Sequence, residues 1–132
     1  MKISRHQIRE LAFQTLFAME SNDSVEPSEF FDYLVKEDVT APKYYLELVN
    51  GVRDHKTELD AIITDHLANK WSIDRISKAD LIILRIALFE IKYVEATPNK
   101  VAINEALELA KKFCDDKSRN FINGVLDSLI EK

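Results

Sequence analysis

The chain has 132 residues, of which 46% are hydrophobic and 31% are charged, with a net charge of −5 and one cysteine. This length and apolar content predict a single domain with one core, spanning residues 1–132. The acidic net charge excludes indiscriminate nucleic-acid binding, and a single cysteine excludes an internal disulfide. The sequence shows no secretory leader pattern and no apolar run near about 18 residues. We therefore expect a cytoplasmic protein with no membrane span.

The sequence predicts an all-α fold, because only two glycines punctuate it and no useful run alternates polar and apolar residues. The first helix starts at Ser4, an N-cap with Gln7 at the capping-box position. Apolar residues nearly encircle this helix up to Met19, so we expect it to pack on more than one side. Pro27 suits the first turn of a short second helix, and Pro42 opens a third.

Helical spacing then continues from Lys43 to Asn69, and a polar stretch at residues 53–58 splits this segment into two helices. The most hydrophobic segment, residues 81–94, follows a capping box that starts at Ser77. We therefore expect residues 81–94 to form the core helix.

The last two helices begin at predicted polar caps. Thr97 caps the sixth, with Pro98 at its first position, and the helix extends through residues 101–113. Ser118 caps the seventh, whose apolar residues keep a spacing of three and four up to Ile130. About seven helices result, with no internal repeat and no low-complexity segment.

No catalytic or metal-binding constellation is recognisable. On one continuous helix, His55 and His66 would lie roughly 16 Å apart, too far for one metal ion. Two isolated glycines cannot form a phosphate-cradling loop, and Cys114 lies far in sequence from any histidine that could activate it. We therefore predict a protein that works by binding, with no enzymatic activity, no cofactor and no metal.

Basic residues cluster at two helix starts. Arg5, His6 and Arg9 occupy the first turns of the first helix, where cations oppose the helix dipole. Lys117 and Arg119 surround the start of the last helix, after two lysines that end the preceding one. Because backbone N–H groups and flanking cations at a helix start favour phosphate, the two clusters predict one phosphate-binding patch if the fold brings them together. The candidate RNA-binding residues are Arg5, His6, Gln7, Arg9, Phe113, Lys117, Ser118, Arg119 and Asn120.

Plainer alternatives stand beside this interpretation. Phe113 or His6 would stack on bases, but a core position is the favoured alternative for Phe113. The charged groups could also be solvated faces of unequal sign, since the region from Glu20 to Asp38 holds seven acids against one lysine.

Four blocks of the sequence resemble the signature segments of the NusB family, in the family's order along the chain. The third and fourth blocks are the most specific, whereas the first is a degenerate amphipathic pattern. The blocks are residues 9–17 (RELAFQTLF), 83–91 (ILRIALFEI), 98–106 (PNKVAINEA) and 121–127 (FINGVLD).

This resemblance implies a seven-helix bundle in two subbundles and a non-enzymatic bacterial transcription antitermination factor. Such a factor pairs with NusE, ribosomal protein ten of the small subunit, and binds the boxA element of nascent ribosomal RNA leaders. The complex helps to bring RNA polymerase into a termination-resistant state. Mapped onto this sequence, the family's RNA contacts fall on Arg5, His6, Arg9, Lys117, Ser118 and Asn120.

The chain departs from the family pattern in its first helix. Where the family often has three or four arginines, this sequence reads Arg5-His6-Gln7-Ile8, which predicts a weaker basic patch. Lys117 stands where some relatives have an acid and restores part of the charge. We therefore expect modest RNA affinity for the protein alone, with NusE contributing much of the rest.

The partner surface that the resemblance implies lies on the first helix and near the start of the fifth, at Phe17, Asp74 and Asp80. Acidic residues suit a basic ribosomal protein, because complementary charge steers association. Asp80 is also the third residue of the Ser77 capping box, and the two roles are compatible. Structural roles between helices are expected for Asn104, Glu105, Asn123 and Gly124, the glycine allowing close helix approach.

Two alternatives stay open. The domain could be the RNA-targeting module of a ribosomal RNA cytosine methyltransferase, which needs a catalytic domain after it. It could also be a helical interaction module that has lost RNA affinity and binds other proteins or forms a homodimer. A chain that ends at Lys132 is not expected for the first alternative, and the reduced number of arginines in the first helix is the feature that distinguishes the second.

Overall fold

The computed structural model describes residues 2–67 and 72–130. The α-helices in these residues are α1 (Arg5–Ser21), α2 (Pro27–Val35), α3 (Lys43–Asp54), α4 (Lys56–Asp65), α5 (Lys78–Tyr93), α6 (Asn99–Phe113) and α7 (Asp116–Ile130), and a 3₁₀ helix spans Ile73–Arg75. The described residues contain seven α-helices and no strand, so the predicted all-α fold is confirmed. Asn69, the predicted end of the fourth helix, lies outside the described residues.

Several helix starts follow the signals predicted from the sequence. The Ser4 hydroxyl accepts the N–H of Gln7 at 3.1 Å, and the Gln7 side chain accepts the N–H of Ser4 at 2.9 Å. Pro27 is the first residue of α2, and the hydroxyl of Ser77 accepts the N–H of Asp80 at the start of α5. The side-chain bonds satisfy backbone donors that a helix start leaves open.

Two predicted caps were wrong. The N-cap of α6 is Pro98, so Thr97 lies before it, although it is adjacent. At α7 the oxygen that accepts the N–H of Ser118, at 2.9 Å, belongs to Asp115, and the helix begins at the next residue. A carboxylate fits the capping position as well as a hydroxyl does, so residue preference alone does not separate the two candidates.

α5 is the central helix and packs against α1, α3, α4, α6 and α7. Its residues 82–90 are all buried, which confirms the prediction of a core helix in this segment. α1 also packs on several sides, against α2, α3, α5 and α6. The first three helices thus form one subbundle around α1, and the later helices form a second around α5.

The two glycines have opposite surroundings. Gly51 of α3 faces α5 so closely that a Cβ at this position would overlap the ring of Phe89. Four residues later His55 is the C-cap of α3, inside the polar stretch predicted to break the helix, and its Nδ1 lies 2.8 Å from the carbonyl oxygen of Gly51. A Cβ added at Gly124 would meet no neighbouring side chain or helix within 4 Å, so the expected close helix approach at this glycine was wrong.

Candidate nucleic-acid interface

The predicted basic residues lie along one edge of the molecule, formed by α1 and α6. These helices run side by side in the same direction: His6 Nδ1 lies 2.9 Å from Glu105 Oε1, and Phe13 stacks on Phe113 with ring centroids 4.5 Å apart. The start of α1 therefore faces the middle of α6, and the middle of α1 faces the α6–α7 junction. Seven residues of helix separate the two places by roughly 10 Å.

Arg5 is an exposed cation at the start of α1. Its guanidinium carbon lies 3.7 Å from the ring centroid of Tyr44, which belongs to α3. The Arg5 side chain forms no hydrogen bond or ion pair with the described part of the chain. Because the ring covers only a face of the guanidinium, the N–H donors in its plane remain available to a phosphate.

His6 lies between two carboxylates. Its Nε2 is 3.2 Å from Glu10 and its Nδ1 is 2.9 Å from Glu105. The hydrogen bond to Glu105 raises the pKa of His6 above its ordinary value of 6.5, burial opposes the rise, and the charges of Glu105, Glu10 and Glu108 add to it. Protonated His6 is thus neutralised locally, so it adds little positive potential to this edge.

Arg9 lies inside the protein, with only 4% of its surface exposed. Its Nε donates to both oxygens of Glu90, at 3.1 and 3.0 Å, and its Nη1 lies 3.6 Å from Glu105. A buried guanidinium needs such a partner, because an unpaired charge in the interior is costly. This burial does not agree with the predicted direct contact between Arg9 and RNA.

The carboxylate that draws Arg9 inward also holds the ring beneath Arg5. The hydroxyl of Tyr44 donates to Glu90, which is 1% exposed. Burial raises the pKa of Tyr44 to about 12, and the hydrogen bond to Glu90 and its charge act in the same direction. This Glu90 network of Arg5, Tyr44, Glu90 and Arg9 was not predicted from the sequence. Its one signal was Glu90, the only acid in the predicted core segment, which has to find a partner if it is buried.

The α6–α7 junction carries lysines in more open positions. Lys111 and Lys117 are exposed, and Lys112 Nζ lies 3.0 Å from Glu10 of α1. Lys111 and Lys112 stand in the last turn of α6, where the helix dipole favours cations. Lys117 stands in the first turn of α7, where the dipole disfavours it, so helix stability does not account for this residue.

The other predicted residues of the junction are less accessible than the lysines. Phe113 is half-buried against α1, so one ring face belongs to the core and is not free to stack on a base. The Ser118 hydroxyl donates to Asp80 at 3.1 Å. Arg119 is half-buried, its Nη1 lies 4.0 Å from Asp116, and its buried Nε has no hydrogen-bond partner among the described residues.

Two polar candidates lie at different faces. Gln7 is exposed beside Arg5, and its amide oxygen is already used in the cap of α1. Asn120 is exposed on α7 and lines a groove with His66 and Gly124, on the side facing the end of α4. The structure therefore brings Gln7 to the α1 edge and leaves Asn120 away from it.

The predicted partner residues also separate into surface and interior. Phe17 is 41% exposed, with Lys78 Nζ 5.3 Å from its ring centroid, so the end of α1 meets the start of α5. Asp74 is exposed in the 3₁₀ helix that precedes α5. Asp80 is 8% exposed, and its Oδ2 accepts the hydroxyl of Ser118 at 3.1 Å, so this carboxylate lies behind the surface.

The described side chains are suited to binding anions, and they offer neither a reactive thiol nor a metal site. Burial, followed by the charge of Asp80, raises the pKa of Cys114 to about 11, so its thiol stays protonated and unreactive at neutral pH. Within residues 2–67 and 72–130, no group of three or more His, Cys, Asp or Glu side chains is placed to hold a metal ion. The exposed Arg5 and Lys117, each at a helix start, are the side chains best placed to contact a polyanion.

Comparisons of the sequence and of the structure with known proteins both find similarity to NusB proteins. The NusB family profile matches residues 6–131. A transcription antitermination protein NusB from Lactiplantibacillus plantarum is 49% identical, over 99% of this chain and 97% of its own. T. maritima NusB has a TM-score of 0.86 at 28% identity, covering 100% of this chain and 94% of that chain. A chain in the crystal structure of antitermination factors NusB and NusE in complex with dsRNA has a TM-score of 0.79 at 28% identity, covering 96% of this chain and 97% of that one.

Proposed function

The chain belongs to the NusB family, and from this premise we propose that it binds the boxA RNA of nascent ribosomal RNA leaders together with NusE. It is a transcription antitermination factor and not an enzyme. The similar structure that contains NusB, NusE and dsRNA supports an assembly of this kind. In the proposal, residues 1–132 act as one binding domain.

The observation that carries the RNA part of the proposal is a pair of exposed cations at helix starts on one edge of an acidic protein. Arg5 begins α1 and Lys117 lies in the first turn of α7, where each opposes the local helix dipole. Phosphate binding accounts for cations in both positions, because it uses the same backbone N–H groups and the same positive potential. Salt should therefore weaken RNA binding measurably.

The proposed contacts divide into direct and supporting residues. Arg5, His6, Gln7 and Lys117 are exposed and would contact RNA directly. Arg9 would act from the interior through the Glu90 network. Supporting roles at the junction fall to Phe113, Ser118 and Arg119, whereas Asn120 would contact only RNA that continues around α7.

For NusE we propose a surface that includes Phe17 and Asp74, with Asp80 behind it. The half-exposed ring of Phe17 offers apolar area, and Asp74 offers a negative charge to a basic ribosomal protein. Because Asp80 holds Ser118 of α7, it would connect the partner surface to the α6–α7 junction. This link gives NusE a physical route to influence the RNA edge.

The cellular setting follows from this role. Acting with NusE on nascent RNA, the protein would join the antitermination complex of RNA polymerase in the cytoplasm. No helix among the described residues is long and apolar enough to cross a membrane.

One observation favours a second candidate function, that of a protein interaction or dimerisation module. At the start of α1, Arg9 is buried and His6 is paired with carboxylates, so Arg5 is the main free cation there. A surface with so little free charge would depend on partners for RNA affinity, or would bind proteins or a second copy of itself instead.

The test is fluorescence anisotropy of a labelled boxA RNA, titrated with the protein with and without NusE, beside a scrambled RNA at two salt concentrations. We expect selective binding of boxA that NusE tightens and that salt weakens. Equal binding of both RNAs under every condition would contradict the proposal and favour the interaction module.

A further inference from the structure

Arg5 and Arg9 stand one helical turn apart on α1 and reach the same buried carboxylate by different routes. Arg9 bonds Glu90 directly, whereas Arg5 lies over the ring whose hydroxyl bonds Glu90. We propose that Tyr44 is a positioning residue for RNA binding: its ring holds the Arg5 guanidinium where phosphate meets it, and Glu90 fixes the ring. The inference rests on the proposed RNA-binding function and assigns a role to a residue that does not itself contact RNA.

The ring of Tyr44 is held by burial and by two contacts of its hydroxyl. It is 7% exposed, and its hydroxyl bonds Glu90 and also interacts with the buried side chain of Thr97. Glu90 is itself fixed by two hydrogen bonds from Arg9. Burial and these bonds restrict the movement of the ring, and therefore the position of the guanidinium stacked on it.

A fixed platform raises affinity by reducing the entropy lost on binding. A free arginine at a helix surface samples many rotamers and gives them up when it binds a phosphate. The Arg5 guanidinium, 3.7 Å from the ring centroid, has already lost much of this freedom. Its five N–H donors lie in the guanidinium plane, so stacking on one face leaves them free for bidentate phosphate binding.

This role also offers a reason for the buried ion pair. An apolar pair of similar volume would stabilise the interior as well as Arg9 and Glu90 do, or better. It would leave the hydroxyl of Tyr44 without its charged acceptor, and the ring without its anchor. The ion pair thus serves the orientation of Arg5 at the surface.

The test is a double-mutant cycle between Arg5 and Tyr44, with affinity for boxA RNA and its dependence on salt measured by anisotropy. The variants are Arg5→Ala, Tyr44→Leu and the two combined. Tyr44→Phe keeps the ring and removes the hydroxyl. Tyr33→Leu is the matched control, because Tyr33 is an exposed tyrosine of α2 whose ring lies near a different cation, Lys36. NusE binding and circular dichroism establish that each variant is folded at the temperature used.

We expect Tyr44→Leu to weaken RNA binding about two- to ten-fold, because Arg5 would then lose its rotamer freedom only on binding. The salt dependence should also become flatter. The double variant should bind no more weakly than Arg5→Ala alone. Tyr44→Phe should weaken RNA binding less than Tyr44→Leu does, since the ring remains under Arg5 but loses its bond to Glu90. Tyr33→Leu should leave RNA binding unchanged.

The inference is overturned if Tyr44→Leu weakens binding equally with and without Arg5→Ala, or if Tyr44→Phe and Tyr44→Leu lose the same affinity. If Tyr44→Leu does not fold, the RNA affinity of Arg5→Lys is the deciding measurement, because lysine keeps the charge but cannot stack as a plane. Wild-type affinity of Arg5→Lys would then refute the platform. A wild-type protein that does not prefer boxA overturns the proposed function itself, whereas the other contrary outcomes overturn only this inference.

Discussion

The start of α1 and the α6–α7 junction have similar basic sequences and are built differently. At the start of α1, Arg9 is buried on Glu90 and His6 lies between carboxylates. At the junction, Lys111 and Lys117 extend into solvent. The difference teaches that the acids a fold brings near a basic residue, rather than the basic residue alone, decide whether it is available to a ligand.

The largest effect is expected from a substitution in the buried Glu90 network at the start of α1. Glu90→Gln removes the carboxylate bonded to the buried Arg9, which keeps only Glu105 at 3.6 Å, and leaves Tyr44 without a charged acceptor. We expect the free energy of unfolding to fall by about 3–5 kcal/mol, measured by urea denaturation.

The matched change at the junction is Lys117→Gln, which should alter the free energy of unfolding by less than about 0.5 kcal/mol. The combined variant Arg9→Met with Glu90→Leu should recover much of the stability that Glu90→Gln loses, because no lone buried charge remains. A Glu90→Gln protein with the free energy of unfolding of the wild type would show that the Glu90 network does not stabilise the fold.

The two glycines provide a second comparison, between a tightly packed position and an open one. Gly51→Ala forces a methyl group into the ring of Phe89 and should destabilise the protein by about 1–3 kcal/mol. Gly124→Ala adds a methyl group in open space within α7 and should stabilise it by about 0.4–1 kcal/mol. Thermal unfolding of both variants checks the prediction, and effects of the same sign would contradict it.

The exposed lysines of the α6–α7 junction are tested by measuring RNA binding. Lys117→Ala should reduce the slope of log affinity against log salt by about 0.7–0.9, the effect of one lost phosphate contact, without lowering stability. Lys92→Ala, at the opposite end of α5 from the junction, is the control and should leave the slope unchanged. Identical slopes for the two variants would remove Lys117 from the interface.

The smallest expected effect concerns His6. Because its pKa is raised in the folded state, mainly by the hydrogen bond to Glu105, the protonated form stabilises the fold. This stabilisation is fully present below pH 6.5 and is lost as the pH rises through the raised pKa. Solvent screens the half-exposed ring, so the contribution is small.

An NMR titration of the His6 ring should give a pKa above 6.5, and Glu105→Gln should bring it back towards that value. A His6 pKa at or below 6.5 would show that the two carboxylates do not hold the ring in solution.

The sequence predicted those parts of the fold that depend on local patterns. The Ser4 and Gln7 cap, the break near His55 and the buried segment of α5 each follow from residues close together in the chain. The cap of α7 was placed on the wrong residue, because Asp115 and Ser118 both fit a capping position.

The site was harder to predict because its decisive contacts join distant residues. Arg9 and Glu90 are 81 positions apart, and Tyr44 and Glu90 are 46 apart. The burial of Arg9 and Asp80 therefore depends on tertiary packing, which no local spacing records. The exposed Arg5 and Lys117 could be found from the sequence, because a cation that opposes a helix dipole is a local signal.

The most direct test of RNA binding at this edge is NMR mapping of boxA RNA on the protein bound to NusE. We predict that amide shifts on adding RNA concentrate at the start of α1 and at the α6–α7 junction, with little change in α2. Shifts that concentrate in α2, or that spare the start of α1, would contradict an RNA interface along this edge.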